Sequence, residues 1–306
     1  ILVGGLGAGG NAIYSIDITD INNPKHLFAV QNDPSNREIS HWNSSGAKNI
    51  YSYGSGSGSI SKDLNYSKLG ETWSTPRIIR LKVNNKDKWV AVFGAGYNAA
   101  VNPDIGSAVY VMDIENEGKL LKDIDIEDQV NVMHNYVFGI PNGNTKTEFS
   151  MSQYGLTSYN VNCCKIRIAG AGDIKYTVTG TLNGDTMSNV KINFERAPSN
   201  VTITASKVNK TDIINSLPAD LSVITADGTS KANYDGALIY ASDLEGKITK
   251  INLTENFNLN SDKVISNVSS TTLFNAQSTS ENGRYIFTRP EVTINNDNNL
   301  WLYFGT

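Results

Sequence analysis

Cys163 and Cys164 are the only thiols in the 306-residue chain, and they are adjacent. Side by side they have two readings. They are a pair of free thiols at a strand edge, or a vicinal disulfide closed into a strained ring, which needs an oxidising compartment. Zinc is disfavoured, because adjacent ligands are sterically awkward and no other Cys or His lies close in sequence to complete four-coordination. The three histidines, His26, His41 and His134, stand in unlike contexts and read as surface or turn residues rather than bases. No Ser-His-Asp constellation, nucleophile elbow or HExxH pattern occurs. The carboxylate run "DIDIEDQ" (123–129) reads as a solvated edge. "GGLGAGG" (4–10) has the glycines of a dinucleotide fingerprint. A strand pattern follows it, however, not a helix whose N-terminus could hold pyrophosphate.

The elements that must carry these residues are strands. Hydrophobic residues make up 39% of the chain, charged residues 18%, and the net charge is −4. That is too apolar for disorder and too weakly charged for a dedicated nucleic-acid binder. No apolar run approaches the roughly 18 residues of a membrane span. "AIYSIDITD" (12–20), "AVYVMDIEN" (108–116) and "ALIYASDLEG" (237–246) each place a Tyr and then an Asp on an alternating segment that ends in a turn. Period two with Gly, Asn and Asp punctuation is the strand-and-turn signature. Recurrence of Asp17, Asp113 and Asp243 at matching places argues for a structural task, such as satisfying turn amides.

The phrase "TPRIIRLKVNNKDKWVAVFGAG" (75–96) is echoed by "TRPEVTINNDNNLWLYFGT" (288–306). Residues 73–124 read as a four-stranded meander of blade size. The closing phrase supplies two strands of another blade, and residues around 220–254 supply a third. Residues 1–31 read as the last three strands of one entered part-way. A single blade cannot bury both of its faces, so copies must stack. Glycines in the Phe-Gly phrases read as positive-φ positions close to a neighbouring blade. Trp73, Trp89 and Trp301 read as core packing. Tyr51, Tyr53, Tyr97 and Tyr154 are candidates for an adhesive surface, with core or edge packing the favoured reading for any one of them. "YGSGSGS" (53–59) reads as a flexible linker or an exposed loop. Between about 129 and 211 the blade wording stops, although short strand patterns continue. The expected fold is all-β, a β-propeller that is partial or completed by further chain, with an inserted small β-rich domain. The expected boundaries are blades at 1–128, a β-rich insertion at 129–211 that carries both cysteines, and blades at 212–306. A chain that opens on "ILVGGLG" and closes inside a strand is expected to be a piece of something longer.

These phrases resemble the C-terminal β-propeller of the PilY/PilC family of type IV pilus tip adhesins. The match is carried by "GGLGAGGNAIYSIDITDINNPKHLF", "LGETWSTPRIIRL…KWVAVFGAGYN…AVYVMDIENEGKLL", "NSLPADLSVITADGTSKANYDGALIYASDLEGKITKINL" and "LFNAQSTSENGRYIFTRPEV…LWLYFGT", in that order. The resemblance implies an extracellular protein at the pilus tip or outer surface of a Gram-negative bacterium. It would act in pilus biogenesis and in adhesion to surfaces or host cells. Its partners would be minor pilins and an unidentified receptor, with no nucleic acid. The resemblance also implies a calcium loop before the strand Tyr240–Leu244. The corresponding stretch is "TADGTSKANYDG". Asp227, Thr229, Asn233 and Asp235 are the candidate calcium ligands, since calcium takes oxygens from Asp- and Asn-rich loops. Lys231 departs from the family pattern and places an ammonium among the oxygens. An ordinary Asp-Gly turn without metal is the alternative.

No catalysis is expected. Two rival classes remain, a quinone-dependent dehydrogenase propeller, for which Cys163–Cys164 is suggestive, and a non-enzymatic scaffold for envelope assembly.

Overall fold

The computed structural model describes residues 1–54, 60–97, 105–126, 133–160, 166–169, 174–184, 186–208, 216–225, 236–276, 278, 282–295, 297 and 299–306. Two compact units emerge, Ile1–Val130 with Thr211–Thr306, and Asn131–Lys210. Both are built from antiparallel strands, and the described residues contain short 3-10 turns but no α-helix.

The first unit opens with a five-stranded meander: β1 (Leu2–Gly5), β2 (Ala12–Asp17), β3 (Lys25–Asp33), β4 (Glu38–Trp42) and β5 (Lys48–Ser52). The expectation of three strands here is corrected. "EISHW" and "KNIYS" are polar enough to read as loop, yet β4 buries Ile39, Ser40 and His41 and pairs on both sides. Asp33 closes the β3–β4 turn, its Oδ1 accepting from the amides of Ser35 and Asn36 at 3.1 Å each. Such an Asx turn lets Arg37 sit at φ 56°.

The second sheet is β6 (Arg77–Val83), β7 (Lys86–Gly94), β8 (Ala108–Asp113) and β9 (Lys119–Asp125), in that order. This is the four-strand module read from residues 73–124. Asn84 and Asn85, at φ 51° and 59°, make the two-residue turn between Val83 and Lys86. Two successive positive φ values match the right-handed twist of the flanking strands.

The second unit holds β10 (Met133–Ile140), β11 (Glu148–Ser150), β12 (Ser158–Asn160), β13 (Ile166–Ala169), β14 (Tyr176–Asn183), β15 (Thr186–Phe194) and β16 (Val201–Val208). One sheet runs β10-β16-β13. In the other, β11 and β12 share one edge of β15 while β14 takes the opposite edge. Ile140, Val201 and Ile203 from the first sheet and Phe149, Val190, Ile192 and Phe194 from the second share one core. The unit is therefore a small sandwich, closed in part by the edge-to-face pair Phe149–Phe194 with ring centroids 5.9 Å apart.

The first unit resumes with β17 (Ser222–Thr225), β18 (Ala237–Ser242), β19 (Lys247–Leu253) and β20 (Ser269–Asn275), a second four-stranded meander. The hairpin β21 (Glu291–Ile294) and β22 (Leu300–Tyr303) follows.

Stacking explains why the phrase repeats. Alternation along β6–β9 sends side chains to both faces, and both faces are covered. Ile79, Leu81, Val90, Val92, Val109 and Val111 share a core with Ala237, Ile239, Ile251 and Leu253 of β18 and β19. Ala91, Phe93, Ala108, Tyr110 and Met112 share another with Ile13, Phe28, Val30 and Ile39 of the first sheet. All six residues of β8 are consequently buried. Tyr240 and Ile248, with the partly buried Leu238, then meet Val292, Leu302 and Phe304 at the last hairpin. Each buried aliphatic side chain stabilises by roughly 1.5–3 kcal/mol, so each sheet depends on the next. The first strands of three sheets also converge. Arg77 at the start of β6, Leu221–Ile224 around β17, and Arg289, Glu291 and Val292 around β21 line one cleft. Stacked sheets whose first strands share a cleft are arranged as propeller blades are about an axis.

Two expectations fail at the blade margins. Trp73, Trp89 and Trp301 are 51%, 50% and 51% exposed, not core. The stacked faces are filled by Val, Ile, Leu and Ala, and the indoles lie outside them. Gly94 of the first Phe-Gly phrase does not have positive φ; Gly96 does, at 89°. Gly94 is small for a different reason, since a Cβ there would lie 2.9 Å from both Cβ and O of Leu217.

Candidate functional site

Asp227, Thr229, Asn233 and Asp235 lie outside the described residues, and so do Cys163 and Cys164. Their anchors are described. Thr225 pairs with Ala237 across β17 and β18, which closes the base of the segment bearing the four oxygen residues. Gly236 follows it at φ 97° and donates its N–H to the Arg80 carbonyl at 2.9 Å. A Cβ at Gly236 would fall 2.1 Å from the Leu253 carbonyl oxygen, so only glycine fits. In sequence the two cysteines fall between β12 and β13. Among the described residues no group of three or more His, Cys, Asp or Glu side chains is placed to hold a metal ion. The "YGSGSGS" stretch (53–59) falls mostly outside the described residues.

The recurrent aspartates do the work their spacing suggests. Asp17 Oδ1 accepts from the amide and hydroxyl of Thr19 at 2.9 and 2.6 Å. Asp113 Oδ1 accepts from the Glu115 amide at 3.1 Å, and its Oδ2 receives Lys88 Nζ at 2.6 Å. Asp243 Oδ1 accepts from the Lys247 amide at 3.1 Å. In each case the carboxylate satisfies the turn that follows its strand.

At Asp243 the turn becomes an ionic cluster that sequence reading missed. Lys247 is completely buried, with its ammonium 3.3 Å from Asp243 Oδ2 and 3.9 Å from Glu245 Oε2. It also donates to the Ile126 carbonyl at 3.1 Å, which ties the β18–β19 turn to the end of β9. Burial pushes the Asp243 carboxyl above the ordinary aspartate range, while the Lys247 charge pulls it back. The signal was available in the alternation. Lys247 shares its phase with Ile251 and Leu253, so it had to enter the inward face. The geometry fastens two sheets together, with a buried cation held between carboxylates and a carbonyl.

His41 corrects the reading of the histidines as surface or turn residues. It is 4% exposed, and its Nε2 lies 2.8 Å from the Glu117 carbonyl oxygen. Glu117, at φ 54°, also accepts at Oε1 from the amide and hydroxyl of Ser44 at 3.0 and 2.7 Å. The histidine therefore joins the first sheet to the β8–β9 turn. His26 is exposed on β3, and His134 lies on β10. Of the four tyrosines for which core or edge packing is favoured over an adhesive role, Tyr154 is open, at 39% exposure. Tyr51 and Tyr53 pack against the core beneath the first sheet, and Tyr53 donates to Asn32 Oδ1 at 2.8 Å. Tyr97 is half-buried.

The first unit is thus an all-β protein of the propeller-like class, with stacked meanders whose turns are fastened by aspartates. Comparison with known proteins agrees with the resemblance read from the sequence: residues 1–145 match the family model described as the PilY1 beta-propeller domain. Among solved structures the chain is similar to the Pseudomonas aeruginosa PilY1 C-terminal domain, at 18% identity and a TM-score of 0.44. That similarity covers 100% of this chain and 40% of the other, so the chain spans less than half of that structure's length. No curated protein matches. Among the described residues no helix is long and apolar enough to cross a membrane.

Proposed function

We propose that this chain is the propeller-bearing part of a type IV pilus-associated protein that is displayed outside a Gram-negative cell, at the pilus tip or outer surface. The observation that carries this reading is the match of residues 1–145 to the PilY1 beta-propeller domain. The stacked sheets act as a rigid frame, and contact is made by loops and by the inserted sandwich, for which 129–211 are the proposed bounds. Rigid scaffolds commonly present their binding residues on such segments. The protein acts without catalysis, in pilus biogenesis and in adhesion, with minor pilins as partners at the tip. Calcium held by Asp227, Thr229, Asn233 and Asp235 tunes this behaviour by fixing the segment anchored at Thr225 and Gly236.

Deletion of the gene tests the reading. Loss of surface pili and of attachment is expected. Unchanged piliation with altered outer-membrane protein assembly would favour an envelope scaffold instead, and alcohol turnover on adding pyrroloquinoline quinone and calcium would favour the dehydrogenase. Within the proposal, removing residues 129–211 should leave the stacked sheets folded and change adhesion.

A further inference from the structure

The cleft shared by the first strands of three sheets has a chemistry of its own. It measures about 280 Å³ and is lined by Arg77, Leu221, Ser222, Val223, Ile224, Arg289, Glu291 and Val292. That is close to the ~300 Å³ lower bound of ordinary small-ligand sites. Most of its polar groups are already engaged. Arg289 is held by Glu291, with Nη2 at 2.6 Å and Nε at 3.3 Å from the same carboxylate oxygen. The Ser222 hydroxyl donates to the Pro290 carbonyl. Asp220, beside the cleft, accepts the Thr75 amide at 2.6 Å. Arg77 is different. It is half-buried at the start of β6, and among the described residues no hydrogen bond or ion pair engages its guanidinium.

A half-buried arginine that lines a cleft with its donors unspent is an incomplete arrangement, since arginine presents five N–H groups in a fixed planar fork. We propose that this cleft is a carboxylate-binding site, with Arg77 as the anchoring cation. The fork matches a carboxylate through two parallel hydrogen bonds. Val223, Ile224 and Val292 supply apolar walls, so the carboxylate carries a short aliphatic body. Glu291 and Asp220 stand nearby as like charges, and they disfavour a dianionic phosphate while tolerating a monoanion paired to Arg77. Because the three first strands come from three sheets, an occupant touches all three and braces their stacking. The inference stands on the cleft geometry and does not depend on a role at the pilus.

The chemistry is found both in free short-chain acids and at the C-terminus of a peptide, and the experiment separates these sources. The full chain, with its arginine side chains ¹⁵N-labelled, is titrated with pentanoate, with pentanamide, and with a Val-Ile dipeptide bearing a free or an amidated C-terminus. Pentanoate should shift the Arg77 Nε–H signal saturably in the millimolar range, and pentanamide should not. Arg77→Lys should weaken binding about tenfold, because a point charge replaces the fork. Val292→Phe fills the cleft without touching the cation and should abolish binding, which guards against an Arg77 variant that merely misfolds. Tighter binding of the free dipeptide than of pentanoate would assign the site to chain ends, and the reverse order to small acids. No Arg77 shift with either acid, an equal shift with pentanamide, or undiminished binding in a folded Val292→Phe variant would overturn the proposal.

Discussion

The hairpins β6–β7 and β21–β22 come from nearly the same phrase and end in very different surroundings. Val92, one residue before Phe93-Gly94, is fully buried, whereas Tyr303, one before Phe304-Gly305, is 57% exposed. A Cβ at Gly94 would strike Leu217, but one at Gly305 meets nothing within 4 Å. Both hairpins pair correctly along their length. Local wording therefore specifies pairing and turn, and the neighbouring sheets determine how much each residue is worth. Stability in this fold lies between modules more than within them.

The sharpest test compares the two phenylalanines. Phe93 is fully buried between the first and second sheets, with its ring centroid 5.6 Å from that of Tyr110. Truncation to alanine should cost about 3–5 kcal/mol. Phe304 is half-buried against Phe274 at 4.8 Å, and its truncation should cost about 1 kcal/mol. Urea denaturation measures both. Equal losses would mean that stacking does not set the difference.

Lys247→Ala is expected to be nearly as severe, at about 3–5 kcal/mol, because it leaves Asp243 and Glu245 buried without their cation. Lys88→Ala removes the partner of Asp113, but this lysine's side chain is 26% exposed and its loss is softened by solvent. Asp113 is itself buried but keeps the Glu115 amide, so the loss should be smaller than at Lys247, at about 1–3 kcal/mol. A reversed order would show that the Lys247 cluster does not tie its two sheets together.

The glycines give a smaller contrast. Gly94→Ala should cost about 1–3 kcal/mol as Leu217 is forced aside. Gly305→Ala should be close to neutral. Thermal unfolding of the two variants is sufficient, and a neutral Gly94→Ala would break the claim that this glycine is required by close approach.

These contrasts also show what the sequence could disclose. The module in 73–124 was legible because period-two alternation and the Asn84-Asn85 turn are local signals. The structural task of Asp17, Asp113 and Asp243 was legible because each bonds within a few residues of itself. What escaped depends on distant chain. Strands β4 and β5 look polar until the first sheet and the turn at Glu117 cover His41. The tryptophans look like core residues until the stacked faces prove to be filled by smaller side chains. The cleft at Arg77 assembles residues more than 200 positions apart, from Arg77 to Arg289 and Val292, and no local pattern marks it.

The finest contrast is electrostatic, between one carboxylate hidden by stacking and one held at the rim. Asp243 has its folded-state pKa raised above the ordinary 3.8, chiefly by burial. The folded protein then binds this proton more tightly than the unfolded chain. The resulting stabilisation is fully present below 3.8 and is lost as pH rises through the raised value. Glu117 is the opposite case, lowered from 4.5 by hydrogen bonds from the Ser44 amide and hydroxyl. Its contribution is present above 4.5 and is lost as pH falls through the lowered value. Unfolding free energies of the wild type, Asp243→Asn and Glu117→Gln across the acidic range should therefore diverge in opposite directions. The wild type loses ground to Asp243→Asn as pH rises and gains on Glu117→Gln. Each slope is bounded at about 1.4 kcal/mol per pH unit for one proton. Slopes of the same sign would show that the Lys247 charge outweighs burial at Asp243, and the buried turn would then behave as the exposed one does.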